Sequence, residues 1–160
     1  MEVATLREIK QELSIRTQKE LVELCLRLSK FKKENKELLT YLLFEASNEA
    51  AYIKGIKSII AQEFKLINKN SYYYIKKSVR KILRGVKKYI RYSKKKGTEV
   101  ELLLYFCSEL KQMSPSFYKS NPLYNMYNRQ IEVIKKAIST MHEDLQYDFE
   151  AELNDLLLIK

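Results

Sequence analysis

The stretch SYYYIKKSVRKILRGVKKYIRYSKKKGTEVE, Ser71 to Glu101, reads as a long amphipathic helix followed by a turn and the start of another. Ile75, Val79, Ile82, Val86 and Tyr89 step by four, three, four and three, which keeps them on one helical stripe over about four turns. That stripe demands burial. Lys77, Lys81, Arg84, Lys88, Arg91 and Lys95 recur at the same intervals on the opposite side, while Lys76, Arg80, Lys87 and Lys94 line a flank. A helix of about 25 residues at 1.5 Å per residue is roughly 37 Å long. Gly97 is suited to a left-handed closing conformation, and Thr98-Glu99-Val100-Glu101 has the capping-box pattern, so the next helix is expected from Glu99.

Outward from this segment the pattern stays helical. A short helix is expected from about Thr5, with Leu6, Ile9 and Leu13 on one face. A second is expected after the capping box Thr17-Gln18-Lys19-Glu20, with Leu21, Leu24, Cys25 and Leu28 as its stripe. Asn35 is a candidate cap for a third through Leu38, Leu39, Leu42 and Leu43, unless the second and third run on continuously. Ser47 or Asn48 starts a fourth with Ile53, Ile56, Ile60, Phe64 and Ile67 inward. Its small residues Ala51, Gly55 and Ser58 would let a neighbour cross close by. After the apolar helix Glu99 to Met113, the run from Ser114 to Asn121 reads as a loop, with Pro122 in the first turn of a helix burying Ile131, Ile134 and Ile138. A last helix, Glu143 to Leu158, places Leu145, Phe149, Leu153, Leu156 and Leu157 inward. No strand alternation or fixed-period repeat is present. The expected fold is all-α over residues 1–160, one domain of about seven to eight helices, either a bundle or a short right-handed stack of hairpins.

Composition narrows the function. The chain has 160 residues, 46% hydrophobic and 31% charged, with 3 Gly, 2 Pro, 2 Cys, 1 His and no Trp, a balance of folded rather than disordered chains. Isolated glycines at 55, 85 and 97 exclude a P-loop or dinucleotide fingerprint. No apolar run is long enough to span a bilayer and Met1 to Gln11 carries no signal-peptide core, so a reducing, cytoplasmic setting is expected, with Cys25 and Cys107 as buried thiols. His142 stands beside Glu143 and Asp144 without a nucleophile or a second histidine, and reads as a surface or capping residue. No catalytic set, metal site or cofactor is expected, and the protein reads as non-enzymatic.

Charge is the informative signal. Of the net +10, residues 64–98 hold 13 basic and no acidic side chains, whereas residues 143–155 carry six acids. Lysine and arginine displace condensed counterions from phosphates, so this pattern points to non-specific nucleic-acid binding by Lys76, Lys77, Arg80, Lys81, Arg84, Lys87, Lys88, Arg91, Lys94 and Lys95. Tyr72, Tyr73 and Tyr74 are consecutive and cannot all face one core, so at least one, with Tyr73 the candidate, is free to stack on bases. Tyr92, Phe117 and Tyr118 complete the aromatic set. The competing reading is a protein-interaction or scaffold module that meets an acidic protein or self-associates through the helix Glu99 to Met113. Its basic face would then be solvated or paired with the acidic C-terminal helix; an anionic membrane surface is a third partner class. Gly85 costs helix stability, and with Ser78 it suggests close approach by a packed helix.

One short region has a family likeness. Leu6, Ile9, Lys10 and Leu13, followed by Glu20, Leu21, Arg27 and Leu28, loosely resemble the two-helix SAP module, a small DNA-binding motif, over under a fifth of the chain. The connector Ser14-Ile15-Arg16-Thr17 lacks the glycine that this module usually places before its second helix, and the pair is read as two ordinary amphipathic helices.

Overall fold

The computed structural model describes residues 2–158, and among them the protein is all-α, with eight helices and no strand. The chain divides into two compact units, Met1–Phe44 and Glu45–Lys160. None of the described helices is long and apolar enough to cross a membrane.

The first unit holds α1 (Leu6–Ser14), α2 (Gln18–Phe31) and α3 (Lys33–Thr40). Thr5 and Thr17 each close a capping box, with Glu8 and Glu20 reaching back to the threonine amide at 2.7 and 2.8 Å. Those bonds hold both carboxyls below their usual range. Lys32 is extended and separates α2 from α3; Asn35, in place of capping, donates from Nδ2 to the Leu28 carbonyl across the break. No side chain of α1, α2 or α3 is fully buried. Cys25, expected inside, is exposed. A π-helical turn, Tyr41–Glu45, follows α3.

The second unit is built around α6 (Lys96–Gln112), which packs against α4 (Glu49–Lys65), α5 (Tyr72–Ser93), α7 (Asn121–Ile138) and α8 (Glu143–Leu158). Four neighbours explain why the apolar side of α6 is so broad, while Glu101, Tyr105, Ser108 and Glu109 share a half-buried polar side. Val100, Leu102, Leu103, Leu104, Phe106, Cys107 and Leu110 are all buried. The surplus apolar surface expected on this helix does not exist. Asn48 caps α4 by accepting from the Ala51 amide, and Ile53, Ile56, Ile60, Phe64 and Ile67 are buried as their spacing requires. Tyr52 ties α4 to α5 by donating to the Tyr89 carbonyl at 3.0 Å. Of the α8 residues expected inward, Leu153 and Leu156 are buried, while Leu145 and Leu157 are exposed. Lys111 on α6 donates to the Leu156 carbonyl at 2.6 Å, a cation at the C-terminal end of α8 where the dipole favours one.

The α5–α6 turn differs from its sequence reading. Lys94, at φ 58°, takes the left-handed position, its amide bonded to the Ile90 carbonyl at 2.9 Å, and Gly97 lies inside the first turn of α6. Thr98 is therefore helical and caps nothing. Its hydroxyl donates to Glu49 Oε1 at 2.6 Å, and Ser93 Oγ and Lys95 Nζ donate to the same carboxylate at 2.5 and 2.9 Å. Glu49, in the first turn of α4, thus supplies the acceptor that closes the turn. The small-residue explanations also fail, because a Cβ at Gly55 or Gly85 would meet no atom within 4 Å. No helix crosses close to either.

Two substitutions follow from this geometry. Gly85→Ala removes a helix-interior glycine into open space and should raise unfolding free energy by about 1 kcal/mol in urea titration. Lys94→Gly relieves a left-handed lysine and should add about 1 kcal/mol. Destabilisation by Gly85→Ala would mean that something does pack on that face.

Candidate nucleic-acid interface

The site begins with the stripe on α5. Ile75, Val79, Ile82, Leu83 and Val86 are buried, which fixes the rotation of the helix about its own axis and turns its bases outward. Tyr73, Lys76, Lys77, Arg80, Leu83, Arg84 and Lys87 then line one groove of about 510 Å³. Their steps of three, one, three, three, one and three follow one side of the helix. Lys76 is half-buried, with Nζ 5.9 Å from the centre of the Tyr73 ring. Among the described residues no carboxylate lies within ion-pair distance of Lys76, Lys77, Arg80, Lys81, Arg84, Lys87, Arg91 or Lys94. The acids of α8 sit on a helix seated against α6 and α7.

The other predicted residues have different surroundings. Lys81, Arg91 and Lys94 are exposed outside the groove. Lys88 lies over the Tyr89 ring at 4.9 Å and 6.0 Å from that of Tyr92, and Lys95 is paired with Glu49. Of the aromatic set, Tyr73 and Tyr74 are 63% and 47% exposed, whereas Phe117 and Tyr92 are buried and unavailable for stacking. Tyr72 is half-buried and donates to the Ser116 carbonyl at 2.8 Å. Sequence reasoning missed Tyr124, which is exposed beside Tyr118 with ring centres 5.9 Å apart. Its position one turn into α7 gave no signal without knowledge of where the preceding loop folds.

Like charges at Lys76/Arg80, Lys77/Lys81, Arg80/Arg84 and Lys87/Arg91 are four residues apart, each pair costing a few tenths of a kcal/mol in an isolated helix. The groove is a row of unneutralised cations on a rigid element. It can bind successive anionic groups and has no feature that activates a nucleophile. No cluster of three or more His, Cys, Asp or Glu suited to a metal occurs among the described residues. Burial pushes the Cys107 thiol up to about 12, leaving it protonated and unreactive at neutral pH.

No family model, curated protein or solved structure matches this chain.

Proposed function

We propose that this protein is a non-enzymatic, cytoplasmic nucleic-acid-binding module whose α5 groove follows a phosphate backbone with little base discrimination. The observation that carries the reading is the groove itself, with Lys76, Lys77, Arg80, Arg84 and Lys87 on one helix side and, among the described residues, no carboxylate paired with them. Contacts of this kind bind through counterion release and are indifferent to sequence. Two free cysteines accord with a reducing compartment. Anisotropy titration of a labelled 20-base-pair duplex at 0.1 M salt tests it. Arg80→Gln and Arg84→Gln should each weaken binding roughly tenfold, while Lys54→Gln, an exposed charge on α4, should change little. Equal affinity in all three variants, or no binding by the wild type to this duplex or to a single strand of the same length, would contradict the proposal.

A second reading, an interaction module for another protein or a second copy, draws on a different surface. In the first unit Leu6 is 85% and Phe31 76% exposed, and Val22, Leu26, Leu28, Leu42 and Leu43 are exposed with them. Apolar exposure on this scale marks an association surface. Under this reading sedimentation velocity at micromolar concentrations shows a defined oligomer or complex that Leu26→Glu with Phe31→Glu dissociates. A monomer that captures no partner excludes it.

A further inference from the structure

We infer that the α5 groove takes single-stranded nucleic acid, whose unpaired bases stack on an aromatic platform formed by Tyr118 and Tyr124 beside the groove's amino-terminal end. The inference rests on the polyanion reading above and adds the class of strand. Its geometric basis is the hydrogen bond from Tyr72, the first residue of α5, to the carbonyl of Ser116. That bond joins the start of the basic helix to the 3-10 turn Phe117–Lys119, which carries Tyr118. The residue after Tyr72 is Tyr73, which already lines the groove.

The two rings are presented by a rigid base. Phe117 is wholly buried, with its ring centre 4.2 Å from that of Tyr118 at 31° and 6.5 Å from that of Tyr124 at 23°. Tyr127, also buried, backs Phe117 at 4.9 Å. On this floor Tyr118 remains 50% exposed and Tyr124 42% exposed. Among the described residues neither phenol has a hydrogen-bond partner. A tyrosine that merely rims a helix packing buries its ring and wets its hydroxyl; here Tyr118 and Tyr124 keep 50% and 42% of their surface open. Bases in a duplex are stacked on one another and cannot use such a platform, whereas an unpaired base can stack on a tyrosine whatever its identity. From Tyr73 to Lys87 the helix advances about 21 Å, long enough to run beside several consecutive phosphates of one strand.

The test compares three ligands at one salt concentration: a 12-nucleotide oligo(dT), a duplex of the same length, and inorganic polyphosphate of similar charge. The full chain is used as wild type, as Tyr118→Leu with Tyr124→Leu, and as Tyr118→Phe with Tyr124→Phe. Oligo(dT) should bind the wild type more tightly than polyphosphate does. The leucine pair should lose about tenfold or more on oligo(dT) and nothing on polyphosphate, and the phenylalanine pair should keep wild-type affinity. An oligo(dT) affinity unchanged in the leucine pair would overturn the platform. Should that pair fail to fold, photocrosslinking of wild-type protein to an oligonucleotide carrying 5-iododeoxyuridine decides, with adducts at Tyr118 or Tyr124 expected and adducts elsewhere contradicting the inference. Binding of duplex and polyphosphate without any tyrosine dependence removes this inference alone. Failure of all three ligands to bind removes the groove reading with it.

Discussion

Everything that gives this molecule its electrical character depends on how one apolar stripe is buried. Ile75, Val79, Ile82 and Val86 have at most 3% of their surface exposed, and they seat α5 in the second unit with α4 and α6 as its neighbours. Each fully buried aliphatic side chain contributes about 1.5–3 kcal/mol relative to exposure, far more than the few tenths by which each like-charge pair on the outer side opposes the helix. The stripe therefore wins, and it dictates the direction of every lysine and arginine on α5. Rotation of the helix by one residue would bury cations and expose isoleucine. The groove is a by-product of packing as much as a surface feature.

The rest of the second unit keeps that arrangement rigid and open. α6 contacts four helices and supplies most of the shared core, and α5 packs with α4 and α6 through its apolar stripe. Glu49 spends its carboxylate on Ser93, Thr98 and Lys95, removing Lys95 from the cationic row while fixing the turn at its end. Lys111 holds the C-terminal carbonyls of α8, whose acids are seated with α6 and α7. Positive and negative surfaces are thereby kept on different helices, which leaves the field of the basic side available to an external polyanion. The first unit follows another logic. Its helices are well capped at their starts, yet none of them buries a side chain completely, so local bonds and not a core define it.

Much of this was readable from residue spacing. The positions of α4, α5 and α7 and their buried faces follow from three- and four-residue periodicity, which reports directly on what a helix turns inward. Structure and spacing part where a residue type suggests a neighbour that only the tertiary fold can supply. Gly97 is a chemically suitable helix terminator, but the carboxylate of Glu49, distant in sequence, holds Ser93 and Thr98, and the left-handed turn falls at Lys94 instead. Gly55 and Gly85 suggested close helix crossings that are not there. The apolar excess of Glu99 to Met113 is compatible with an interface, because periodicity cannot distinguish a helix with four packing partners from one with a sticky face. Leu6, Ile9 and Leu13 share a face as expected, and that face is exposed. Within the site, the basic row and Tyr118 are legible in the sequence and Tyr124 is not, since it meets Tyr118 only because the loop folds onto Phe117.

The most direct measurement is the dependence of oligo(dT) affinity on salt. With Lys76, Lys77, Arg80, Arg84 and Lys87 each neutralising one phosphate, a plot of log affinity against log salt concentration should fall with a slope of about −3.5. A slope near zero would mean that these cations do not meet phosphate, and the account of α5 as a backbone-tracking helix would be wrong.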